Sequence, residues 1–257
     1  MRHPQSVQVE VYNPPRWIEK GAIAGMAANL TTIGFDADDT LWQNERFFRL
    51  TQEKFTELLA DYVTGDHLSQ RLLEAERRNL GAYGFGTKGF VLSMIETAIE
   101  VSDARVPARV LQELIEAGKE MLAHPVHLLP GARETLEALT SDYRLVLITK
   151  GDLLDQERKL AQSGLGEFFA AVEIVSDKTA DSYARIFRRH GDGAKHAMMV
   201  GNSLRSDVIP ALQAGAFGVF VPHPLTWEVE HAAAPTEHLR YRALKGLDGL
   251  CDLLDGI

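Results

Sequence analysis

The chain has 257 residues and a formal charge of −9, with 45% apolar and 25% charged side chains. That balance belongs to an ordinary globular protein with a large core and excludes a disordered, collagenous or coiled-coil chain. The acid excess argues against nucleic acid as the main partner, because phosphate backbones are held by Lys and Arg surfaces; an acidic protein still binds phosphates through a metal. The single Cys251 rules out an internal disulfide and reads as a packing residue in a reducing, cytoplasmic setting.

Residues 1–30 contain Asn13-Pro14-Pro15 and little periodicity, so they read as an arm or lead-in. The small-residue run over 21–28 is short and has no basic flank, so neither a signal peptide nor a membrane span is expected. Residues 31–35 read as a short buried strand that stops at Asp36, Asp38 and Asp39, three carboxylates within four residues. Like charges this close repel, so a stable fold needs a cation or a shared proton there. From Trp42 to His127 apolar residues recur at helical spacing, predicting helices over 44–63, 66–80, 88–101 and 107–123.

After Pro130-Gly131 helix and strand alternate. Helices over 131–141, 153–163, 179–190 and 206–214 precede strands over 144–149, 171–175, 197–200 and 217–221. The expected fold is α/β: a Rossmann-like three-layer αβα core with a parallel sheet, over 1–41 and 128–257, and an inserted α-helical cap over 42–127. The insert leaves the sheet after the first strand and returns before the second. It therefore hangs over the strand ends where ligands of such sheets collect, as a lid would.

The residues that follow the apolar strands are all polar: Asp36, Asp38 and Thr40; Thr149 and Lys150; Asp177 and Lys178; Asn202, Ser203 and Asp207. Together they suit phosphoryl transfer. An ionised carboxylate can attack phosphorus to give an aspartyl phosphate, and a second carboxylate can protonate the leaving oxygen and later deprotonate water. Mg²⁺ wants hard oxygens and keeps waters, so two or three protein oxygens suffice. A hydroxyl and an ammonium can hold the phosphoryl oxygens.

In these residues the sequence resembles the haloacid dehalogenase (HAD) superfamily, in its phosphatase branch. Asp36-Ala37-Asp38-Asp39-Thr40 matches the first motif, Thr149 the second, Lys178 the third, and Gly201-Asn202-Ser203 with Asp207 the fourth. The resemblance implies Asp36 as nucleophile, Asp38 as general acid/base and, through its carbonyl, a ligand of Mg²⁺. It further implies Thr149 and Lys178 as phosphoryl-binding residues and Asp207 as completing the metal site with Asp36. It also implies a cap that selects the substrate, a small phosphorylated metabolite or nucleotide-type compound. Two positions depart from the pattern: Asn202 stands where an acid is usual, so it is a neutral ligand or lies behind one, and Asp39 stands where Gly is common and is expected only to cap a turn or helix.

Lys150 rivals Lys178 for the phosphate. In the insert, Gly84-Phe85-Gly86-Thr87-Lys88-Gly89 imitates a dinucleotide fingerprint, but no strand precedes it. It reads as a turn that reaches the substrate, with Tyr83 and Lys88 as candidate specificity residues. His124 and His127 read as a hinge rather than a metal pair. Three rivals remain at this stage. A phosphotransferase or phosphomutase would use the same core residues, and a haloacid dehalogenase needs no second aspartate. A receiver-like phospho-switch would place its Asp after a middle strand and carry no helical insert.

Overall fold

The computed structural model describes residues 30–257; all of the expected arm except Leu30 lies outside the described residues. Strand β1 (Thr32–Phe35) is followed by four helices, α1 (Glu45–Leu58), α2 (Gly65–Tyr83), α3 (Thr87–Val101) and α4 (Ala108–Ala123). Then come α5 (Ala132–Leu139), β2 (Arg144–Lys150), α6 (Leu153–Ser163), β3 (Ala171–Val175), α7 (Ala180–His190) and β4 (Ala197–Gly201). The chain closes with α8 (Ile209–Gln213), β5 (Phe217–Phe220), β6 (Tyr241–Ala243) and α9 (Leu250–Asp255). All neighbouring strands are parallel, in the order β3-β2-β1-β4-β5-β6.

β1 is the middle of this sheet. Phe35 stands opposite Leu147 on one side and Val200 on the other, so Asp36 emerges where the strand order reverses, the usual crevice of an open α/β sheet. Alternation along β2 sends Leu145 and Leu147 into one apolar layer and Val146 and Ile148 into the other. Leu136, Leu139 and Leu250 cover the first face, and Tyr183, Ile186 and Phe187 the second. The three-layer αβα arrangement expected from the strand rhythm is the one observed. Among the described residues no helix is long and apolar enough to cross a membrane.

The four helices between β1 and β2 bury their own cluster, including Phe55, Leu72, Phe90, Met94 and Leu114. They join the sheet through a two-stranded neck: the Gln43 N–H donates to the His127 carbonyl and the Leu129 N–H to the Leu41 carbonyl, both at 2.9 Å. Trp42 sits in this neck opposite Leu128 and is 1% exposed. His124 and His127 flank it and pack against the Phe47 ring.

In detail the structure departs from the sequence expectation. The helix expected over 206–214 begins as a wide π turn at Leu204–Val208, and only Ile209–Gln213 is α-helical. Pro210 has no N–H for the Ser206 carbonyl, which accepts the Tyr183 hydroxyl at 3.0 Å instead. The short edge strand β6 was not expected; Tyr241-Arg242-Ala243 has no apolar run, and its place is set by pairing with Gly218.

Candidate active site

Each polar strand end feeds one cavity of about 150 Å³, enclosed between the sheet edge and the insert. At its floor the Lys178 ammonium, 2% exposed, donates to Asp36 Oδ1 at 2.5 Å and to Asp207 Oδ1 at 2.6 Å. Lys178 reaches there because Thr179 starts α7 with a reciprocal cap to Ser182, turning the chain at the strand end. Asp207 is brought in by the π turn, its other oxygen accepting the Ser203 N–H at 2.9 Å. A side chain at Gly201 would occupy the space of that carboxylate.

Burial raises the Asp36 carboxyl to about 7; Asp207 adds to the rise and Lys178 opposes it. For Lys178 burial works against the charge, but Asp207 and Asp36 outweigh it and hold the ammonium above its ordinary value. The floor thus sets two carboxyl groups against one ammonium, an excess of acid that an added cation would relieve.

Oxygen atoms converge at that point. One atom of the Asn202 amide lies 3.2 Å from both the Asp38 carbonyl oxygen and Asp36 Oδ2, and 3.3 Å from Thr40 Oγ1. With nitrogen there, the amide donates to these oxygens. With oxygen there, a carboxylate, a carbonyl and an amide form a hard-oxygen set that needs a cation and suits Mg²⁺ supplemented by water. The donor set therefore fits the metal, and an added positive charge would draw the Asp36 carboxyl back down. Among the described residues no three His, Cys, Asp or Glu side chains form a ready metal site; the candidate set relies on a carbonyl and an amide instead.

Asp38 is held differently. Its carboxylate accepts Trp42 Nε1 at 2.7 Å, Lys159 Nζ at 2.9 and 3.1 Å, and Gln156 Nε2 at 3.0 Å. Gln156 also donates to Thr149 Oγ1 at 2.7 Å, which ties the strand-two hydroxyl to the second aspartate. Lys159 reaches Asn44 Oδ1 at 2.8 Å as well. Gln156 and Lys159 occupy one face of α6, three residues apart. Sequence reasoning missed both; the only signal was that spacing, in a helix that opens at a strand end.

Asp39 has φ 59 and does not join the chemistry. Its carboxylate accepts the N–H groups of Asn44 and Glu45 at 2.8 and 2.9 Å, capping the start of α1. Burial raises it to about 6, opposed by His223 and the Asn44 N–H.

Lys150 is occupied: its ammonium lies 3.7 Å from the centre of the Phe85 ring and donates to Ser206 Oγ at 2.7 Å and Glu230 Oε1 at 2.5 Å. Burial would raise Glu230, but Lys150 and the hydroxyls of Ser203 and Ser206 hold it below its ordinary value. The glycine turn of the insert does reach the cavity, through Gly84, Phe85 and Gly86. Gly86, at φ 110, leaves no room for a side chain, whose Cβ would stand 3.2 Å from the Asp152 backbone nitrogen. Tyr83 lines the cavity and donates to Glu96 at 2.6 Å. Lys88 does not itself line the cavity; it pairs at 2.8 Å with Asp152, which does, tying the insert to the loop after β2.

A family model described as haloacid dehalogenase-like hydrolase matches residues 30–215. A curated relative, the glyceraldehyde 3-phosphate phosphatase of Methanothermobacter thermautotrophicus, is 29% identical over 211 residues, covering 77% of this chain and 88% of the relative. The crystal structure of a HAD-like family hydrolase from Xanthomonas campestris is 41% identical with a TM-score of 0.77, covering 88% of this chain and 92% of that one. A HAD hydrolase of Bacillus subtilis crystallised with magnesium shares the fold, at 20% identity and a TM-score of 0.58, over 88% of this chain and 99% of that one.

Proposed function

The chain belongs to the haloacid dehalogenase-like hydrolases, and from that premise we propose that it is a Mg²⁺-dependent phosphomonoester hydrolase acting through an aspartyl phosphate. The observation that carries the reading is the chain of short hydrogen bonds from Asp36 through Lys178 to Asp207, beside an Asp38 held by Trp42, Gln156 and Lys159. The phosphatase relative supports it.

Asp36 attacks phosphorus while the bond to the leaving alcohol breaks, and Asp38 delivers its proton to that oxygen. Asp38 then takes a proton from the water that attacks the acyl phosphate, releasing phosphate and restoring Asp36. Lys178 and the Thr149 hydroxyl hold phosphoryl oxygens as charge moves onto them. Asp36, the Asp38 carbonyl and Asn202 would hold Mg²⁺, with Asp207 adding charge beside them; when bound, the ion neutralises the repulsion between carboxylate and phosphoryl group. The insert excludes water and meets the alcohol portion of a small phosphorylated metabolite.

The test is phosphate release from p-nitrophenyl phosphate. Asp36→Asn and EDTA are each expected to abolish it, EDTA reversibly, and Asp38→Asn to slow it roughly 10²-fold or more. Full activity of Asp36→Asn, or of the EDTA-treated enzyme, would end the mechanism.

A further inference from the structure

The cavity continues from Asp36 under the insert, and there its wall changes character. Glu45 and Glu76, 7% and 8% exposed, line it together with the rings of Phe48, Phe85, Phe90 and Trp227. The rings support one another: Phe48 and Phe90 have centroids 5.0 Å apart, and Phe85 stands edge-on to Trp227 at 6.2 Å.

The charges of this end are unbalanced. The three lysines that reach the cavity belong to the core, and each is bound to a carboxylate there: Lys150 to Glu230, Lys159 to Asp38, Lys178 to Asp36 and Asp207. No Lys or Arg of the insert lines the wall. Arg49 pairs with Glu45 at 3.0 Å, and Arg77 is drawn away to Glu228 at 3.1 Å. Glu76 has no ion-pair partner among the described residues. The buried Trp227 N–H is turned toward it without a hydrogen bond of normal geometry. A carboxylate taken out of water is costly unless a positive charge meets it. The rings of Phe48, Phe90 and Trp227 in the same wall attract the same kind of charge through their quadrupoles, while Phe85 already carries the Lys150 ammonium on its face.

We infer that the insert end of the cavity receives an ammonium group, so that the preferred substrates are phosphomonoesters whose leaving alcohol carries a protonated amine. The inference rests on the phosphomonoesterase reading of the same cavity. Burial raises Glu76 to about 7 against the Trp227 indole, Arg49 and Arg77, and raises Glu45 to about 7 against Arg49; both are carboxyls that gain from a cation brought between them. A second anionic group on the substrate would face the same two acids and be repelled.

Three esters of similar size decide the matter: 2-aminoethyl phosphate, 2-hydroxyethyl phosphate and phosphoglycolate, compared by kcat/KM on the full chain with Mg²⁺. The ammonium ester is expected to lead the hydroxyl ester by about tenfold, with the carboxylate ester last. In Glu76→Gln the ammonium-to-hydroxyl ratio is expected to fall toward one; a ratio taken within one enzyme is insensitive to a general loss of activity. Where that variant does not fold, 2-aminoethylphosphonate is expected to inhibit wild-type p-nitrophenyl phosphate hydrolysis more strongly than ethylphosphonate. A wild-type preference for the hydroxyl or carboxylate ester, an unchanged ratio in Glu76→Gln, or equal inhibition by the two phosphonates overturns the inference. Hydrolysis of p-nitrophenyl phosphate that Asp36→Asn abolishes would still uphold the phosphatase reading, whereas no hydrolysis of any ester overturns both.

Discussion

The Lys178 ammonium meets the Asp36 carboxylate at 2.5 Å at the end of the central strand, and both groups are buried. Removing one partner of such a pair leaves the other charge uncompensated. Lys178→Met is therefore expected to lower stability by about 3–5 kcal/mol as well as to abolish phosphate release. Denaturant unfolding of the variant checks the first and p-nitrophenyl phosphate turnover the second; a fully stable variant would show that the pair contributes nothing to folding.

The pH dependence of stability follows from the acids rather than from this lysine. Lys178 is held above its ordinary value, so its contribution is complete below pH 10 and is lost only in stronger alkali. Asp36, Glu45 and Glu76 are raised to about 7 and Asp39 to about 6, so the folded protein keeps protons that the unfolded chain gives up. In EDTA the melting temperature is expected to fall as pH rises from about 5 to about 7. Mg²⁺ is expected to raise it more at pH 7.5 than at pH 5.5, because a cation favours the ionised Asp36. Thermal unfolding across this range reads both effects, and a melting temperature that climbs with pH would contradict the assignment.

Asn202 offers a neutral oxygen where an acid would offer a charge. Asn202→Asp is expected to lower the Mg²⁺ concentration that half-saturates the rate, and Asn202→Ala to raise it by roughly 10–100-fold. A Mg²⁺ titration of the initial rate distinguishes these from variants whose half-saturation is unmoved, which would remove Asn202 from the donor set.

Lys159 and Gln156 fix the Asp38 carboxylate from α6. Lys159→Met is expected to lower kcat by roughly 10–10²-fold while KM changes little, since the acid/base group loses its orientation and the phosphoryl-binding residues keep theirs. Steady-state kinetics with one substrate suffice; a rise in KM at unchanged kcat would place Lys159 in substrate binding instead.

Most of the sheet was legible because β1 to β5 are apolar runs, and the polar clusters that follow the first four of them singled out Asp36, Asp38, Lys178 and Asp207. β6 was not, because its three residues carry no pattern of their own and are ordered by pairing with β5. Lys159 and Gln156 look like the solvated face of an amphipathic helix, and only the way α6 packs on the sheet turns that face inward. Glu45 and Glu76 read as surface charges on α1 and α2; they become buried because the insert folds back over the strand ends. Lys88 stands beside the glycine turn in sequence, and its side chain pairs with Asp152 in the loop after β2.

The neck between insert and sheet is two strands wide, and Trp42 occupies it. The same Trp42 donates its indole N–H to Asp38. One side chain therefore serves both the joint of the insert and the hydrogen bonding of Asp38, so a change at Trp42 reaches the two at once.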